Sequence, residues 1–220
     1  MNRAHPLHSA RQRGLSLVEL MVALTIGLIL LIALAYFFLG SRQLSRSHDD
    51  VSRMQESGRY ALEILGKAIR QAGYRADADV AFGGVALTGT DGADTATPDT
   101  ITVQYDPQDG LEASCTGTNV VSPARVTYAF AVNGSRELTC GGSVVADNIE
   151  NMQITYGIDI GKDGIIDSYT ATPTAAQFLQ AAAVRVNLVV RGPTANAATG
   201  GDGFLRQTYS ATFAVRNQAF

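Results

Sequence analysis

Glu19 is the residue whose surroundings most demand a chemical explanation. It stands among Leu15, Leu17, Val18 and Leu20 at the start of an apolar run, where a carboxylate costs about 2.5–3.5 kcal/mol at mid-membrane and less near an interface. Cleavage of the Gly14–Leu15 bond would create a partner for it. The new α-amino group on Leu15, with an ordinary pKa near about 8, is largely cationic at neutral pH and lies one helical turn from Glu19. The two charges could pair within one chain. Glu19 could instead meet the terminus of a neighbouring subunit, neutralising both charges in an apolar bundle and fixing the stagger between chains. The plainer alternative is an interfacial Glu favoured by the helix N-terminal dipole, worth a few tenths of a kcal/mol.

Other chemistry is sparse. Of the three histidines, His5 and His8 precede Gly14 and only His48 follows it, so histidine catalysis has no seat in the C-terminal part. No G-x-S-x-G, phosphate-cradling glycine loop or metalloprotease helix occurs, and an enzyme is not expected. Cys115 and Cys140 are the only cysteines and do not form a C-x-x-C pair. A disulfide is their simplest use, worth about 3 kcal/mol on the chain-entropy model, with two separate buried thiols as the alternative. Asp159, Asp163 and Asp167 surround an Asp-Gly turn and offer calcium the hard oxygens it prefers. Gly161, however, replaces one expected ligand, and Thr170 stands where a bidentate acid would close such a loop. A solvated hairpin turn whose acids serve solubility is favoured, and no cofactor is otherwise expected.

The elements that must position these residues follow from periodicity. Residues 20–40 contain no ionisable side chain except Tyr36, a length that crosses a bilayer. No small-x-small cleavage site follows, so the segment is an anchor rather than a removable secretory signal. Arg3, Arg11 and Arg13 favour a cytoplasmic N-terminus, although Arg42, Arg46 and Arg53 flank the far end. Leu44, Val51, Met54, Ala61, Leu62, Leu65, Ile69 and Ala72 continue a helical pattern that should stop at Gly73. An unbroken helix over 15–72 would be about 85 Å long. It contains no proline, and Gly27, Gly40, Gly58 and Gly66 are its soft points, each costing about 1 kcal/mol relative to Ala.

Alternating patterns at 100–105, 126–132, 151–156, 183–191 and 208–216 predict an antiparallel sheet. Asn133-Gly134 predicts a hairpin joining 126–132 to 137–140, and residues 173–180 a short helix. The predicted organisation is α+β: 1–14 leader, 15–40 membrane helix, 41–73 amphipathic continuation and 74–220 β-rich domain. The formal net charge is -3. Residues 76–220 carry seven basic against fifteen acidic side chains, a balance that repels phosphate and argues against nucleic-acid binding by that domain.

Arg13-Gly14-Leu15-Ser16-Leu17-Val18-Glu19-Leu20 resembles the class III signal of type IV prepilins and type II secretion pseudopilins. Glu56-Ser57-Gly58-Arg59-Tyr60-Ala61-Leu62, Arg70-Gln71-Ala72-Gly73-Tyr74, Tyr156-Gly157-Ile158-Asp159 and Arg216-Asn217 are similar to the PilW group of minor pilins. The resemblance implies a long helix packed on an antiparallel sheet. It further implies cleavage after Gly14 by a membrane prepilin peptidase, N-methylation of Leu15, and Glu19 as the docking acid. Implied partners are other minor and major pilins, the inner-membrane assembly platform and, before assembly, inner-membrane lipid. The implied location is the inner membrane with a periplasmic domain, then the pilus. The implied role is pilus initiation or tip assembly, supporting twitching, adhesion or DNA uptake indirectly. Alternatives are a J-type pseudopilin or a tip adhesin that binds a ligand.

If cleavage follows Gly14, Gly14→Ala leaves the leader attached. Intact-mass analysis of the membrane-extracted variant should then return the precursor mass.

Overall fold

The computed structural model describes residues 16–75, 82–107, 114–120, 124–195 and 201–217. Gly14 and Leu15, the predicted cleavage pair, lie outside them. Helix α1 runs from Leu17 to Gln71, and its contacts divide the chain into residues 1–46 and 47–220.

In the first unit the described residues are helical and almost wholly exposed, with only Gly27 half-buried. Leu17, at 75% exposure, and every large apolar side chain through Leu39 lack cover. The helix is long and apolar enough to cross a membrane. Thr25 is accommodated locally, its hydroxyl donating to the Val22 carbonyl at 2.9 Å. Tyr36, Phe37 and Phe38 end the apolar stretch, and the Arg42 guanidinium folds back to 4.3 Å from the Phe38 ring centre.

In the second unit α1 buries Met54, Gly58, Ala61, Leu65 and Ala68, at alternating spacings of four and three, with Ile69 beside them on the same helical face. Where the sequence predicts one sheet, two antiparallel sheets form. Strands β1 (Leu87–Thr90), β2 (Thr100–Tyr105), β3 (Val126–Val132), β4 (Leu138–Cys140) and β5 (Ser143–Ala146) lie in sequential order. The second sheet has the order β7-β6-β8-β9, from β6 (Ile149–Ile158), β7 (Ser168–Thr170), β8 (Ala181–Ala195) and β9 (Phe204–Ala214). The break falls at Asp147-Asn148. Asn148 takes a left-handed φ of 63°, and its carbonyl accepts the Arg191 N–H, so the chain is redirected onto β8. The short helix α2 (Ala175–Phe178) lies within its predicted range and opens with a Thr174–Gln177 capping box.

The predicted hairpin forms, with a three-residue loop between Asn133 and Glu137. Asn133 N–H donates to Glu137, Arg136 N–H donates to Asn133, and Arg136 rather than Gly134 takes the left-handed conformation, at φ 63°. The Asn133 side-chain oxygen accepts both the Ser135 and Glu137 amides, and this side-chain mimicry of a turn fixes a three-residue loop. The helix ends as expected, with Gly73 at φ 71° donating to the Gln104 carbonyl at 3.0 Å.

Two of the four predicted soft points in α1 prove to be packing seats. A side-chain carbon at Gly58 would lie 2.6 Å from the Tyr209 ring, and one at Gly66 would collide with Phe213, whereas Gly27 and Gly40 face open space. The spacing explains the pairing. Eight helical residues rise about 12 Å and four strand residues about 13 Å, so Gly58 and Gly66 keep register with Tyr209 and Phe213. The same register continues at its far end, where the Asn217 side-chain amide donates to the Ala72 carbonyl, just past the end of α1, at 3.1 Å. Strand β9 therefore runs along α1 in the same direction.

Gly58→Ala and Gly66→Ala should each cost about 1–3 kcal/mol through overpacking, while Gly40→Ala should not destabilise. Thermal unfolding of the detergent-solubilised chain checks the contrast.

Candidate functional site

Glu19 sits in the first turn of α1, where the Leu20 N–H donates to the Ser16 carbonyl at 3.1 Å. Leu17, Val18, Leu20, Met21 and Val22 around it are exposed. Among the described residues no cation lies within ion-pair reach of it. The site is one carboxylate on an uncovered apolar cylinder. A carboxylate so placed is best tolerated where apolar cover and a positive charge arrive together.

The other predicted residues form two separate structural devices in the second unit. Cys115 and Cys140 are joined in a disulfide with Cα atoms 5.5 Å apart, tying the 114–120 segment to β4. Asp159, Asp163 and Asp167 shape the connection between β6 and β7. Asp159 is buried, and its carboxylate accepts the amides of Asp163 at 3.3 Å and Gly164 at 2.9 Å. Asp167 accepts the Ile160 amide at 2.7 Å, and Asp163 the Ile165 amide at 2.9 Å. The hairpin is as expected, but the acids do more than keep it soluble: they satisfy loop amides. No group of three His, Cys, Asp or Glu side chains arranged to hold a metal ion occurs among the described residues.

Two further polar centres carried no sequence signal. Asp99 is buried and clamps the β1–β2 connection onto the second sheet, accepting Gly92 N–H at 2.8 Å and Ile154 N–H at 2.6 Å. Burial pushes its carboxyl above the ordinary range, and these two amides oppose the shift. Glu150 gathers Arg206, Arg191 at 3.7 Å and Arg136 at 3.8 Å, linking the β3–β4 hairpin to β8 and β9. The Arg206 hydrogen bond, first among the causes, holds the Glu150 carboxyl below its ordinary range despite partial burial. Asp202 is lowered by the same arginine and by the Phe204 amide. These residues meet from distant parts of the chain, so only their three-dimensional pairing identifies them.

An N-terminal apolar helix with an intramembrane-type acid, continued by a helix packed on antiparallel sheets, defines a membrane-anchored, pilin-like α+β chain. The comparisons agree at the level of family models. Residues 9–35 match the prokaryotic N-terminal methylation motif, and residues 131–217 match PilW, the type IV pilus-assembly protein W. Together these matches support a minor pilin of type IV pilus assembly and are compatible with a pseudopilin. No curated protein sequence matches the chain. Among solved structures, a type IV-like pilin from Thermus thermophilus is similar at 14% identity and TM-score 0.49, covering 80% of this chain and 98% of that one. A complex of two pseudopilins from the type 2 secretion system of Vibrio vulnificus is similar at 12% identity and TM-score 0.40, covering 74% and 95%.

A carboxylate whose folded pKa is depressed stabilises the fold above its unfolded value, near about 4.3 for Glu, and loses that contribution as pH falls. Glu150→Gln should therefore be less stable at pH 7 and show a flatter stability profile between about pH 5 and pH 3. Thermal unfolding across that range measures both effects.

Proposed function

We propose that this chain is a minor pilin, cut after Gly14 by a prepilin peptidase and methylated on Leu15, that uses Glu19 to dock its N-terminal helix in a type IV pilus. The observation that carries the reading is the methylation motif at residues 9–35 laid over a helix with no cover of its own. The PilW match over residues 131–217 supports the pilus in particular.

Before assembly the apolar part of α1 sits in the inner membrane. Tyr36, Phe37, Phe38 and Arg42 mark its exit, since aromatic rings and arginines favour the lipid–water boundary. Residues 47–220 then lie in the periplasm. The leader is cationic, with Arg3, Arg11 and Arg13, which favours its retention on the cytoplasmic side beside the peptidase. On transfer to the filament, lipid is exchanged for other apolar helices. Glu19 then meets the amino terminus of an adjacent subunit, and the pair desolvates together rather than singly. Other minor pilins, the major pilin and the assembly platform are the partners in this step, within an initiating or tip complex. Twitching, adhesion and DNA uptake follow from the pilus so formed.

Glu19→Ala should be processed to the mature mass yet leave cells without pili. Piliation at the wild-type level would remove the docking role. Type II secretion should be unchanged in the same strain, and a secretion defect with normal pili would favour a pseudopilin.

A further inference from the structure

We propose that the free edge of β9 receives an extended strand from a neighbouring pilin-class subunit, with acidic side chains directed at Arg59 and Arg70 of α1. The inference rests on the pilus reading above and names a contact within that assembly. Strand β9 has eleven residues and lies at the end of its sheet, paired among the described residues only with β8. The other three sheet edges are strands of three or four residues, as expected of edges protected by being short. Strand β9 has neither that protection nor a proline or lysine, and its one charge, Arg206, is held by Glu150 and Asp202.

The register shows which groups are on offer. Val215 N–H donates to the Ala182 carbonyl, and Ala214 pairs with Ala183. In an antiparallel ladder hydrogen-bonded and non-hydrogen-bonded pairs alternate, so the odd-numbered residues of β9 hold β8. Thr208, Ser210, Thr212 and Ala214 turn their N–H and C=O groups outward. A strand-shaped partner satisfies such a row, and a flat apolar surface does not.

The flank beside this edge selects the charge of the partner. Gly66 seats Phe213, and the Arg70 guanidinium lies 5.6 Å from the centre of the same ring. Arg59, Gly66 and Arg70 fall within about 40° of one another around the helix, with the acid Glu63 beside them, so the flank carries two positive charges against one negative. Among the described residues neither arginine has an ion-pair partner. Every second side chain of an added strand would face this net-positive flank, so acids opposite Arg59 and Arg70 are complementary. Direction selects the source. Because β9 runs with α1, a symmetric antiparallel pairing of two β9 strands would set their helices antiparallel, which suits chains sharing one membrane orientation poorly. A strand from a different subunit anchored in the same membrane has no such conflict.

The test uses the full-length chain in cells, with a photocrosslinking amino acid at Thr208 and, as control, at exposed Val144. The expected result is a Thr208 adduct that mass spectrometry identifies as another chain bearing a Gly-to-Glu prepilin signal. Thr212→Pro removes an outward N–H while sparing the β8 ladder, and R59E combined with R70E reverses the flank. Each should lower the adduct by about tenfold or more, through a lost ladder bond or a like-charge clash, with membrane level and processing unchanged. If Thr212→Pro fails to accumulate, the charge-reversed variant decides. An adduct no stronger than at Val144, an adduct with a chain lacking the signal, or adduct formation unaffected by charge reversal overturns the inference. Deletion of the gene separates the two readings: normal piliation sinks the pilus function itself, whereas loss of pili combined with wild-type piliation by the charge-reversed variant sinks the edge contact alone.

Discussion

An apolar helix that no other described residue of its chain covers, with one carboxylate near its start, is the constraint from which the rest follows. Each large side chain moved from water into an apolar setting contributes about 1.5–3 kcal/mol, and every one from Leu17 to Leu39 is exposed. That stretch is long and apolar enough to cross a membrane, and on the proposed function it is covered first by lipid and then by other helices. Glu19 adds selectivity to it. Lipid tolerates a carboxylate poorly, and on the proposed function a filament that presents an amino terminus at the matching height would compensate it.

The second unit must hold together without that interface, and it does so by letting α1 lie very close to its sheets. Gly58, Ala61, Gly66 and Ala68 remove side-chain bulk from the packed stripe, and the rings of Tyr209 and Phe213 occupy the space. Polar contacts then lock the strands in place: Asn217 on the helix end, Asp99 between the sheets and Glu150 among three arginines. Asp159 and its neighbours spend their oxygens on loop amides, and the disulfide holds a loop against β4. These devices hold β9 along α1.

Legibility in the sequence followed the range of the interaction. The helix, its end at Gly73, the cores of five strands and the small capped helix were readable, because periodicity, a C-cap glycine and turn residues act over a few positions. The split into two sheets was not readable, since it depends on Asn148 adopting a left-handed backbone and engaging Arg191, more than forty residues away by the numbering. Gly58 and Gly66 looked like weak points because propensity counts only the helix, whereas the opposing rings lie about 150 residues on. The Asn133-Gly134 signal located the hairpin correctly, whereas the details of its loop, in which the Asn133 side chain accepts two amides and Arg136 takes the left-handed position, carried no such signal. Glu19 was legible for the opposite reason: an acid inside an apolar run is conspicuous without any knowledge of its partner.

The central claim is that proteolysis supplies the positive charge that Glu19 requires. Mass spectrometry of the N-terminal peptide from the native protein tests it most directly. The account predicts a chain beginning at Leu15 with a methylated amine. A native chain that retains the leader through Gly14, or that begins at a residue beyond Glu19, would contradict it.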